Sequence, residues 1–206
     1  MAAVAWTVSI AFLVWSWRKA RANYSRNITA LLAVSSAFVF AAQMINFPIA
    51  AGTSGHLVGG TFLAVLLGPY AAMLSMTIVL LMQAFFFADG GLVAFGMNVL
   101  NMAVVGALSF FLVKLFTRKS FGNGRFLSGV FLASWVSVVA GALLAGLQIG
   151  FANAGGIALW VPLMFFWHAL IGLGEGAITV TLVSGLQRLQ PTVLSGITLL
   201  KARSKL

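Results

Sequence analysis

Apolar residues run through this chain in long stretches, without the alternation expected of a half-buried strand, and polar residues gather between the stretches. Seven apolar segments are legible, at roughly 2–17, 28–47, 57–68, 70–87, 92–116, 126–149 and 157–187. Most match the roughly 20 residues that a helix needs to cross a bilayer. A spanning helix satisfies its own backbone groups away from water, so the pattern predicts helices and excludes an outer-membrane barrel. The third segment, ending at Gly68-Pro69, is too short to span alone. Pro69 restricts the residue before it and suits the first turn of a new helix. The seventh is longer than one span and is expected to tilt or to run into the cytoplasm. Loops are short, so residues 1–206 form a single transmembrane domain of the all-α class, a polytopic membrane helix bundle.

Composition agrees with that solvent. Hydrophobic residues make up 62% of the chain and charged ones 7%, with a mean hydropathy of +1.09, which no water-facing surface could cover. Cysteine is absent, so disulfides and thiolate metal sites are excluded, and any metal must be met by nitrogen or oxygen.

The net charge of +10 comes from 12 Lys and Arg residues in three groups. Arg18, Lys19, Arg21 and Arg26 follow segment one. Lys114, Arg118, Lys119 and Arg125 surround the loop between segments five and six, and Arg188, Lys201, Arg203 and Lys205 lie at the C-terminal end. With seven spans all three groups fall on one face, while the loops at 48–56, 88–91 and 150–156 carry none. The positive-inside rule then places the N-terminus outside and the C-terminus in the cytoplasm. No nucleic acid is needed to explain the charge. Trp15, Trp17 and Trp160 stand where aromatic belts are expected. Ala20-Arg21-Ala22 has the form of a signal-peptidase site, but the basic residues beside it favour a retained first segment.

Polar chemistry is sparse, with two histidines and two acids. His56 lies in GTSGHLVGG, at the outer mouth of segment three, where Gly52, Gly55, Gly59 and Gly60 allow close backbone approach. A neutral imidazole is a ligand for nickel, cobalt, zinc or copper. On the same side lie Gln83 and Asp89 in QAFFFADGG, then Asn98, Asn101 and Met102, which share a helix face at i, i+3, i+4 spacing. Asparagines in a span either line a cavity or bond neighbouring helices. His168 and Glu175, seven positions apart in WHALIGLGEGAIT, return to nearly one face. Glu175 is the only acid inside a predicted span and must meet a partner or a cavity. A structural interhelical bond and a catalytic pair are the two readings, and no nucleophile with a flanking base accompanies the second.

GTSGHLVGGTFLAVLLGPYAAMLSMTIVLLMQAFFFADGGLVAFGMNVLNMAVVG, together with HALIGLGEGAIT, resembles the CbiM/NikM family of cobalt and nickel substrate-binding membrane subunits of energy-coupling-factor transporters. The resemblance runs in order over nearly the whole chain. It implies seven helices with the N-terminus outside, and capture of Ni²⁺ or Co²⁺ as transported substrate from the outer side of the cell membrane. It also implies partners: a coupling transmembrane subunit, cytoplasmic ATPase subunits and a small accessory membrane subunit. No nucleotide loop is present, so ATP hydrolysis is expected on other chains and this chain is expected not to be an enzyme.

The resemblance carries over His56 as metal ligand, with Gln83, Asn98 and Asn101 as supporting residues. The family's other ligands are nitrogens of a Met-His start, completing a roughly square-planar N₄ site that suits Ni²⁺. Here the chain begins Met-Ala-Ala-Val, so no terminal ligand is carried over. The natural frame is expected to extend upstream by roughly ten residues, too few for another span, and to start Met-His. Ala33, Ala37 and Ala41 form a small-residue ridge on segment two that permits close helix approach. By resemblance the ridge docks the coupling subunit, and internal packing is the alternative. Two other functions remain open at this stage, an intramembrane enzyme using His168 and Glu175 and an assembly factor that binds other membrane proteins.

Overall fold

The computed structural model describes residues 1–23, 28–49, 54–117 and 123–190. Among these, the apolar runs form seven helices: α1 (Ala2–Asn23), α2 (Ile28–Gln43), α3 (Gly60–Leu67), α4 (Pro69–Phe86), α5 (Phe95–Thr117), α6 (Asn123–Ala152) and α7 (Gly156–Leu189). Gly52, Arg26, Arg118, Lys119, Lys201, Arg203 and Lys205 lie outside the described residues. The helices α4 to α7 are long and apolar enough to cross a bilayer. Exposed Ile10, Val34, Ile78, Phe111, Leu170 and Ile178 give the bundle an apolar exterior, as a lipid solvent requires.

Helix α1 runs past the predicted stop, so its basic end is helical. Arg21 lies in the last turn, where the carbonyl end of the helix dipole favours a cation, and its guanidinium sits 5.9 Å over the Trp17 ring. Trp15 packs edge-on against Tyr70 of α4 at 5.0 Å.

The short third helix is not a span. All eight residues of α3 are buried, because α2, α4, α5, α6 and α7 surround it. Its close crossing of α5 depends on two glycines: a Cβ on Gly60 would stand 2.6 Å from the Gly106 Cα. Gly68, at φ 82°, ends α3, and Pro69 opens α4. Left-handed backbone and the missing proline N–H make that joint a break. Hydroxyl bonds tie the layers together. Ser36 and Ser75 join α2 to α4 at 2.6 Å, and Thr61 of α3 reaches Ser109 of α5 at 2.7 Å and Ser137 of α6 at 3.2 Å.

Two local features depart from the all-helical expectation. Between α2 and α3 a hairpin forms from β1 (Asn46–Pro48) and β2 (Ser54–His56), antiparallel, with Asn46 opposite His56. Three-residue strands are too short to show an alternating pattern, and Pro48 is tolerated because a two-stranded ribbon has only edges. Within α5, Val99–Val104 winds as a π-helix, whose i→i+5 bonds change which residues share a face.

Candidate metal centre

The segment carrying His56 is held by its backbone from two sides. The Glu175 carboxylate of α7 accepts the N–H of Val58 at 2.6 Å and that of Gly59 at 3.0 Å. From α2, the Gln43 amide donates to the Val58 carbonyl at 2.6 Å and also meets the Met76 sulfur at 3.3 Å. Gln43 and Glu175 are both 1% exposed. Gly59 takes the left-handed φ of 74° at the start of α3, where a Cβ would crowd the Val39 methyls at 3.1 Å. A negative group at the amide end of a helix is stabilised by the dipole, so the acid, the loop and α3 form one unit.

This arrangement sets both the depth and the chemistry of His56. Glu175 lies about 28 Å along α7 from its first residue, at 1.5 Å per residue. The His56 loop is therefore anchored beside the middle of α7. The ring is part-buried, and its Nδ1 stands 2.8 Å from the Leu57 carbonyl oxygen. A carbonyl can only accept, so Nδ1 donates to it, and in the neutral tautomer that this bond selects the lone pair lies on Nε2. That is the form an imidazole takes as a ligand, with its second nitrogen oriented by a carbonyl.

The three supporting residues each bond other partners. Asn101 is 7% exposed and forms a reciprocal amide pair with Gln148 of α6, at 2.8 and 3.0 Å. Asn98 donates to the Gly90 carbonyl at 3.2 Å. Gln83 is buried at 5%, and its backbone carbonyl receives the N–H of Phe87 and of Asp89, closing the turn before the Gly90-Gly91 loop. Among the described residues, no hydrogen bond links any of the three to His56. The two asparagines bond different neighbours, Gly90 and Gln148. Also among the described residues, no three His, Cys, Asp or Glu side chains gather as a metal cage.

His168 and Glu175 are likewise not bonded to each other among the described residues. The His168 Nδ1 lies 2.9 Å from the Met164 carbonyl one turn back, and both Glu175 oxygens are taken by the His56 loop. The residues that sequence reasoning missed are Gln43 and Gln148, each a lone amide in an apolar run, which was the available signal.

The family model described as the cobalt uptake substrate-specific transmembrane region, CbiM, matches residues 1–193. The chain belongs to the CbiM family. A putative fused nickel transport protein NikMN of Archaeoglobus fulgidus is 39% identical over 196 residues, covering 94% of this chain and 64% of that longer protein. A cobalt transport protein CbiM of Kyrpidia tusciae is 34% identical over 173 residues, covering 80% and 69%. Among solved structures, a transition metal transporter superposes with a TM-score of 0.85 at 28% identity, over 98% of this chain and 94% of that one. As a CbiM-family bundle, the chain is a multi-pass membrane protein.

Proposed function

We propose that this chain is the substrate-capture subunit of an ATP-driven importer of the energy-coupling-factor type, taking up Ni²⁺ or Co²⁺ near His56. The observation that carries the proposal is the His56 ring itself: a pinned loop holds an imidazole with its Nε2 lone pair open, inside a CbiM-family bundle. The ion enters from the outer side of the cell membrane and leaves toward the cytoplasm. Gln83, Asn98 and Asn101 support the site indirectly, by holding the α4–α5 loop and the α5–α6 contact. One domain, 1–206, does this, and ATP is hydrolysed on separate cytoplasmic chains acting through a coupling membrane subunit, with a small accessory membrane subunit as a further partner.

Two observations support the arrangement. Ala33, Ala37 and Ala41 all lie exposed on α2, so the ridge is open for the coupling subunit and is not consumed by internal packing. The described basic residues Arg18, Lys19, Arg21, Lys114, Arg125 and Arg188 stand at the ends of α1, α5, α6 and α7. Ser9 near the start of α1 meets Gly96 at the start of α5, and α6 and α7 pack antiparallel, Gly150 beside Ile157 and Gly176 beside Phe131, so those basic ends share one face, which supports a cytoplasmic C-terminus. The enzyme reading has no support, since Glu175 and the His168 Nδ1 are occupied by backbone groups. The test is uptake of radioactive Ni²⁺ and Co²⁺ by cells carrying the complete transporter. His56→Ala should abolish uptake while the subunit still folds and assembles; wild-type uptake would remove His56 from the site.

A further inference from the structure

The last turns of α1 carry more chemistry than the end of a span requires. A groove of about 260 Å³ opens on this helix, lined among the described residues by Ala11, Phe12 and Trp15. Helical spacing puts these three on one stripe, which continues at Arg18 and Arg21. From Ala11 to Arg18 the stripe rises about 10 Å, apolar first and cationic last. Neighbours fix its shape. Phe12 and Trp15 pack edge-on at 6.1 Å, Trp15 meets Tyr70 of α4 at 5.0 Å, and the Ser16 hydroxyl donates to the Tyr70 carbonyl at 2.8 Å. A ligand in the groove therefore meets a preformed surface with little side-chain freedom left to lose.

No acid of this chain serves the cations above the groove. The chain has two acidic side chains. Glu175 is engaged by Val58 and Gly59. Asp89 lies in the loop before α5, toward the other end of α1, where Ser9 reaches Gly96. Arg18 and Arg21 are both exposed, and two guanidiniums without a carboxylate call for an anion from outside the chain. A guanidinium matches phosphate oxygens in a way a point charge does not. The Arg21 guanidinium also lies 5.9 Å over the Trp17 ring, so the aromatic face that a quaternary ammonium would seek is already taken. A choline headgroup finds no seat here, whereas a headgroup of net negative charge does.

We propose that α1 holds one anionic phospholipid, with an acyl chain along Ala11, Phe12 and Trp15 and the phosphate at Arg18 and Arg21. In the proposed orientation this end of α1 lies in the cytoplasmic leaflet, where anionic lipids attract basic segments. The lipid site is separate from the ion site and does not depend on it.

The full chain, purified in detergent, is titrated with phosphatidylglycerol and with phosphatidylcholine of equal acyl length, and bound lipid is counted by native mass spectrometry. One phosphatidylglycerol should bind about 10-fold or more tighter than phosphatidylcholine, beyond the roughly five-fold that one basic residue supplies at an anionic surface. Arg18→Gln should remove the preference. Ala11→Trp, which fills the groove and leaves every charge in place, should weaken phosphatidylglycerol binding by about 10-fold. Lys114→Gln, in the last turn of α5, should change neither lipid. Equal affinity for the two lipids overturns the inference, and so does an equal loss in Lys114→Gln and Arg18→Gln, since net charge alone would then attract the lipid. If Arg18→Gln does not fold, Ala11→Trp decides, and unchanged phosphatidylglycerol binding in it overturns the site. Displacement of the bound lipid when the coupling subunit assembles on the chain gives the groove to that subunit and overturns it as well.

Discussion

Glu175 accepts the backbone N–H of Val58 at 2.6 Å, joining the seventh helix to a loop 117 residues earlier in the chain. Its second oxygen takes the Gly59 N–H. The one acid among the described helices is thereby a fastener for the His56 loop.

Glu175→Gln keeps the shape of the side chain but presents one acceptor and turns an NH₂ toward a backbone N–H. A stranded buried donor costs about 1–3 kcal/mol, so the melting temperature of the subunit should fall. Ion affinity should drop by about 10- to 100-fold as the loop loosens. Full stability combined with lost ion binding would instead give Glu175 a direct part in binding, and calorimetry on the purified variant separates the two.

Gly60→Ala should destabilise the bundle. The new Cβ would meet the Gly106 Cα at 2.6 Å, backbone against backbone, so no side chain can move aside, and overpacking of this kind costs about 1–3 kcal/mol. Gly185→Ala in α7 is the control, because its Cβ meets nothing within 4 Å. Alanine there should stabilise slightly, by up to about 1 kcal/mol on helix propensity. Thermal unfolding in one detergent reads both signs, and equal melting temperatures for the two variants would refute the close crossing.

Asn101 and Gln148 should behave as a pair. Single changes to leucine strand the partner amide, whereas the double change Asn101→Leu with Gln148→Leu removes both polar groups and recovers part of the loss. Coupling energies for such bonds between membrane helices average about 0.6 kcal/mol. Uptake should follow stability across the cycle. If the double variant is stable yet takes up no ion, Asn101 acts at the ion itself.

Ala37→Trp places a bulky ring on the exposed ridge of α2. The isolated subunit should fold with unchanged stability while co-purification of the coupling subunit is lost. Undiminished co-purification would move the docking surface elsewhere.

The sequence alone carried the solvent, the helix count and the family. Long apolar runs leave a chain no option but helices in lipid, and the seven runs became the seven helices, with the largest difference at the end of α1, which runs on to Asn23. Gly68-Pro69 likewise announced the break between α3 and α4, since left-handed backbone and a missing N–H act locally. What the sequence did not carry was depth and partnership. A short apolar segment reads alike whether it spans or lies wholly inside the bundle, and only the packing of five helices around α3 made it internal. The hairpin beside His56 was too short to have a period. Asn98 and Asn101 were assigned a common face from α-helical spacing, and their partners, Gly90 and Gln148, were visible only in the tertiary structure. The tasks of Gln43 and Glu175 were decided by tertiary structure for one reason: a buried amide or carboxylate must find backbone partners, and those partners, Val58 and Gly59, were distant in sequence and came within reach only once the loop entered the bundle.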